Sequence, residues 1–151
     1  MRNHILIMWL FLATLAHSQD AKVLEVENVV QTSRGSAGSW SPAQRDQSLA
    51  VGDRIRTRQR SRATVRLTDL YTMRLEQFTT IEIAPALFDE KRATLDLGGG
   101  VAFIFSREKA GEIDIKTPTA NGAMRGTQVV VKVAPDGSSR FQVLELSLIH
   151  I

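Results

Sequence analysis

Between residues 62 and 75 the chain alternates almost strictly. Ala63, Val65 and Leu67 are separated by Thr64 and Arg66, and Tyr71, Met73 and Leu75 by Thr72 and Arg74. A repeat of two puts successive side chains on opposite faces of an extended ribbon, so one face meets a core while the other meets water. The pattern returns at Ile81 and Ile83 around Glu82, at Leu95 and Leu97 around Asp96, and at Ile113 and Ile115 around Asp114. Residues 101–105 and 129–133 are apolar at nearly every position, which predicts strands buried on both faces and central in their sheets.

Turn chemistry falls between these runs at Gly52-Asp53, Gly98-Gly99-Gly100, Gly111, Asn121-Gly122 and Pro135-Asp136-Gly137. Asp136-Gly137 predicts a hairpin that joins residues 129–132 to residues 140–144. The triple glycine is followed by a strand pattern, not by a lysine and a helix, so it predicts a turn or bulge and not a phosphate cradle. Residues 31–48 form the longest loop-like stretch, and residues 86–92 suit a single helical turn. Short strands at regular spacing predict an all-β domain, a jelly roll or β-sandwich of mostly antiparallel strands.

The chemistry open to such a domain is narrow. Of the three histidines, His4 and His17 stand near the start and His150 is the penultimate residue, and there is no cysteine among the 151 residues. The body therefore lacks the imidazole or thiol of a Ser-His-Asp triad, a Cys-His pair or a Cys/His zinc site. A lysine base, a carboxylate pair or an oxygen-ligated cation remains open, and no cofactor is expected. A net charge of +3 names no partner.

The two ends read differently from the body. Arg2, the uncharged stretch of twelve residues from Ile5 to Ala16 and the small residues of Ala16-His17-Ser18 predict a secretory signal over residues 1–18. Twelve residues fall short of the roughly 20 that span a bilayer as a helix, so no stable membrane span is expected after cleavage. Export predicts a periplasmic or secreted protein. Leu146-Ser147-Leu148-Ile149-His150-Ile151 matches a translated sequencing-adapter end, which leaves residues 19–145 as the domain and predicts that it is truncated at its C-terminal end.

The order of Gly52-Asp53-Arg54-Ile55-Arg56-Thr57, Ser61-Arg62-Ala63-Thr64-Val65-Arg66-Leu67, Leu97-Gly98-Gly99-Gly100-Val101 and Ile115-Lys116-Thr117-Pro118, leading to Arg125-Gly126-Thr127, resembles the FecR family of periplasmic domains. The resemblance runs from about residue 22 to residue 145. It implies an all-β, non-enzymatic domain for signalling or sensing whose partner is another envelope protein, with Gly52, Asp53, Gly100, Pro118, Gly126 and Thr127 as structural motif positions. The best-known members relay a signal from an outer-membrane transporter to a cytoplasmic sigma factor. Here only four residues precede the apolar stretch, so direct sigma-factor binding is not expected. Leu70 and Gln128 also depart from the family pattern.

Arg54, Arg56, Arg62, Arg66 and Arg74, with Arg58 and Arg60 between them, predict a cationic stripe on one side of adjacent strands that attracts an acidic partner or an anionic polymer. The bland reading is a solvated sheet face whose charges discourage edge pairing. Arg125 either pairs with an internal carboxylate or faces a ligand. Trp40 either anchors the loop in which it stands or offers a stacking platform, which supports an alternative function as a polysaccharide-binding accessory module. No aromatic residues interleave with the arginines, so nucleic acid is not an expected partner.

Overall fold

The computed structural model describes residues 21–84, 93–106, 113–124 and 128–145. Thirteen strands make up the order: β1 (Ala21–Glu27), β2 (Val30–Ser33), β3 (Ser41–Pro42), β4 (Ser48–Leu49), β5 (Arg54–Thr57), β6 (Arg62–Arg66) and β7 (Tyr71–Leu75), then β8 (Thr80–Ala84), β9 (Ala93–Ser106), β10 (Ile113–Lys116), β11 (Asn121–Met124), β12 (Gln128–Val133) and β13 (Ser139–Glu145). Sheet A runs β4-β1-β6-β7-β9-β12-β13, and sheet B runs β3-β2-β5-β8-β9-β10-β11. Among the described strands only β9 with β10 is parallel. The all-β, mostly antiparallel architecture agrees with the alternation in the sequence.

The two sheets share one core. Val23, Val65, Met73, Leu75, Ile104 and Val131 from sheet A join Ile55, Ile81, Leu95, Leu97, Ile113 and Ile115 from sheet B in a single buried cluster. Most of these are the apolar members of the alternating runs, joined by Ile104 and Val131 from the continuous apolar ones and by Val23 and Ile55. Burying a side chain of this size contributes roughly 1.5–3 kcal/mol, so the repeat of two fixes which side of every strand faces inward.

At 14 residues, β9 is longer than the short strands expected, because it serves both sheets. Its first half pairs with β8 from Thr94 to Gly99 and its second half with β7 from Ala102 to Ser106. Gly98-Gly99-Gly100 lies at the change of sheet, where the ladder with β8 shifts register between Thr80 and Ile81. The glycines thus make a bulge within a strand, as the turn chemistry allowed. Gly100 has φ of 96°, and a Cβ there would strike Thr79 and the carbonyl of Phe78. Only glycine suits that corner.

The Asp136-Gly137 hairpin forms as expected and pairs β12 with β13. Residues 101–105 and 129–133 are central, since β9 is flanked by β7 and β12 and β12 by β9 and β13. They are not buried on both faces: Phe105 is 36% exposed, Lys132 is exposed, and Val101, Phe103 and Val130 are half-buried. Their outer sides belong to the free face of sheet A, so an apolar run here marks a sticky surface instead of a two-sided core. Within residues 31–48, the end of β2, all of β3 and the start of β4 are strands. The proposed helical turn at 86–92 and the turn at Gly111 lie outside the described residues, as do both termini.

Candidate functional site

The five arginines of the expected stripe do not share a face. β5 belongs to sheet B between β2 and β8, whereas β6 and β7 are neighbours in sheet A. The connection from residue 58 to residue 61 crosses from one sheet to the other, so Arg54 and Arg56 stand on the outer side of one layer and Arg62, Arg66 and Arg74 on the outer side of the opposite one. Alternation within a strand was legible. The layer to which each strand would go was not.

On sheet B, Arg54 and Arg56 flank Trp40. The Arg56 guanidinium lies 4.0 Å from the centroid of the indole ring and that of Arg54 lies 5.0 Å away. Arg56 also donates from Nε to Gln31 Oε1 at 2.9 Å, and Arg54 from Nη2 to Ser33 Oγ at 3.4 Å. Burial, followed by the nearby charges of Arg58 and Arg54, lowers the pKa of Arg56 below the usual arginine value. The Trp40 loop is fixed from below: Asp53 Oδ1 accepts from Gly35 N–H at 3.1 Å while its Oδ2 accepts from Ala50 N–H at 3.0 Å. Ser33 Oγ donates to the Gly38 carbonyl at 2.7 Å. Asp53 is therefore a brace for the Trp40 loop, and Gly52, with φ of 90°, donates its N–H to the Ile83 carbonyl at 2.7 Å.

On sheet A the arginines are paired. Arg62 Nε meets Glu76 Oε2 at 2.9 Å and Arg74 Nε meets Glu76 Oε1 at 3.3 Å, with the Arg74 guanidinium 4.9 Å from the Phe103 ring centroid. The bond from Arg62 to Glu76, the carboxylate charge itself and the charge of Glu27 all raise the pKa of Arg62. Arg66 is half-buried on the same side of β6 and joins neither ion pair. Pro118 is exposed in the β10–β11 turn, held where Thr117 Oγ1 donates to the Ala120 carbonyl at 2.8 Å. Arg125, Gly126 and Thr127 lie outside the described residues.

A third cluster escaped the sequence reading. At one end of the sandwich, the β1–β2 turn, the β5–β6 connection and the β7–β8 turn are bonded to one another. Val29 N–H donates to Ser61 Oγ at 3.0 Å, Arg58 N–H to the Val29 carbonyl at 3.0 Å, and Arg60 N–H to Gln77 Oε1 at 3.0 Å. Asn28 Nδ2 reaches the Arg60 carbonyl. Asn28, Arg60 and Phe78 hold φ of 58°, 54° and 55° in this tip, and a left-handed phenylalanine is rare. Val29 is 53% exposed and Phe78 62%, beside exposed Arg58 and Arg60. No turn motif in the sequence marks Phe78 as left-handed; its only signal is an aromatic residue between two polar ones.

Among the described residues no three His, Cys, Asp or Glu side chains gather as a metal site requires. The concave places are shallow and open. One lies beside Glu25, Glu27, Arg45, Arg62, Thr64 and Arg74, and another runs along Phe103, Phe105, Val129 and Leu144.

No curated protein and no solved structure matches the chain. A family model described as FecR protein matches residues 53–146, which takes in every strand from β5 to β13 and the corner at Gly100. That span is more than half of the chain, and the chain belongs to the FecR protein family.

Proposed function

We propose that this chain is an exported, non-enzymatic sensing module of a bacterial envelope that works by docking another envelope protein. Family membership supports a regulatory role, and the tip of the sandwich carries the docking reading. Two large apolar side chains stand in solvent there on three turns braced to one another, with cations beside them. A left-handed non-glycine residue costs about 1–2 kcal/mol. Strain of that kind persists where the surroundings over-determine it, and it concentrates at functional sites. An aromatic ring held on a braced turn loses little entropy on binding, and aromatic and arginine side chains are enriched among the residues that carry most of the energy of protein interfaces. The partner that fits has an apolar pocket rimmed by carboxylates.

The test compares retention of envelope proteins on the immobilised chain and on its Phe78→Asn and Arg60→Glu variants. Asparagine suits the left-handed backbone, so the first variant removes the side chain without disturbing the turn. A protein held by the parent chain, released by salt and retained at least tenfold less by both variants supports the reading. Equal retention by the variants rejects the tip as the docking surface, and hydrolase activity of the purified chain rejects the non-enzymatic assignment.

A further inference from the structure

The outer side of sheet B differs in kind from the tip. Among the described side chains, none of the large exposed hydrophobic residues lies on β2, β5, β8, β10 or β11. Among the described residues its aromatic platform is Trp40, half-buried against Arg54 and Arg56. From there a polar row crosses the sheet in register, Arg54 beside Glu82, Glu82 beside Asp96 and Asp96 beside Lys116. At about 4.8 Å per strand the row spans roughly 14 Å. Neither Arg54 nor Arg56 has a carboxylate at ion-pair distance among the described residues. The buried Nε of Arg54 has no hydrogen-bond partner, an unmet donor of the kind that marks a missing acceptor.

We propose that this face binds a carboxylate-bearing oligosaccharide, with a sugar ring laid against the part of the Trp40 indole that the arginines leave open and its acid group held by the guanidinium groups of Arg54 and Arg56. A pyranose presents a flat C–H face that suits an indole, and its hydroxyls pair with carboxylates and amides alike, as Gln31, Glu82 and Asp96 offer. A guanidinium takes a carboxylate in a fixed fork of donors. An acidic peptide suits the face less well, because its apolar side chains find one aromatic ring and otherwise charged groups. The site is prearranged: Asp53 and Ser33 hold the loop that carries Trp40. Trp40 precedes the residues that match the family, whereas Arg54 and Arg56 lie within them. The proposal is independent of docking at the tip.

The purified full chain is titrated by calorimetry, with tryptophan emission read in parallel, against fragments of polygalacturonate, alginate and hyaluronan. A neutral maltodextrin of matched length and an oligoglutamate of matched charge serve as comparisons. The expected result is binding of at least one of the acidic glycans, with a change in emission that Trp40→Phe removes and an affinity that Arg56→Gln lowers about tenfold or more. Phe78→Asn leaves the affinity unchanged. Circular dichroism establishes that each variant is folded, and Trp40→Phe with Arg56→Lys serves if a harsher change unfolds the loop. Failure of all three acidic glycans to bind overturns the proposal. Equal affinity for maltodextrin, equal affinity for oligoglutamate, or binding unaltered in the folded variants overturns it as well.

Discussion

At Gly100 the required conformation and the available space agree. Gly100→Ala adds both a left-handed strain and a collision with the backbone of Thr79, and is expected to cost about 2–4 kcal/mol in chemical denaturation. Thr79 is fully buried and its Oγ1 accepts from Val101 N–H at 3.0 Å, so the corner has no slack on that side. Phe78, next in sequence, predicts the opposite sign. Phe78→Asn relieves backbone strain while removing an exposed ring, and is expected to raise stability by about 0.5–1 kcal/mol even as it abolishes docking. A loss of stability on denaturation would show that the ring packs after all. At this scale the sequence was readable at the glycines and opaque at Phe78, because a glycine cluster announces unusual backbone geometry while a left-handed phenylalanine is imposed by neighbouring turns.

The strands repeat the lesson one level up. Pairing of β12 with β13 was legible from Asp136-Gly137, and the structure adds a titratable lock. Ser138 donates its hydroxyl to Asp136 Oδ1 at 2.7 Å and its N–H at 2.9 Å, and these bonds hold the Asp136 carboxyl below the usual aspartate range. A carboxyl whose folded pKa is depressed stabilises the fold above its unfolded value, about 3.9, and loses that contribution as pH falls through the lower folded value. Asp136→Asn should therefore lower stability slightly at neutral pH and converge with the parent chain in acid, which flattens part of the acid limb of a denaturation series below about pH 4. Glu76→Gln frees two arginines that are about half exposed, and is expected to cost less than about 1 kcal/mol. β13 pairs only with β12 among the described strands and exposes Phe141, Val143 and Leu144. Such an open edge promotes association, so Val143→Lys should reduce light scattering at high concentration and shift stability by no more than about 0.5 kcal/mol. The arginine stripe failed at this scale because nothing in residues 58–61 tells a crossing between layers from a hairpin.

For the molecule as a whole, fold class followed from alternation, and the shared core followed from the same apolar positions. What did not follow was that one strand would serve both layers. Since β9 pairs with β7, β8, β10 and β12, separate unfolding of either sheet would tear the other. The loss of Trp40 emission and the loss of far-ultraviolet dichroism should accordingly coincide in denaturant, and two separated transitions would show that the sheets unfold independently. Pairings between distant segments place refolding in the range of milliseconds to seconds.

The passage of β9 through Gly98-Gly99-Gly100 has a mechanical consequence. Asp96, on one wall, and Phe103, on the other, belong to one continuous strand, so tension applied at either wall loads the backbone hydrogen bonds that clasp that strand on both. Under load the fold should hold like a belt through two buckles, and it should give way only when the clasps on the belt part, whichever buckle is pulled.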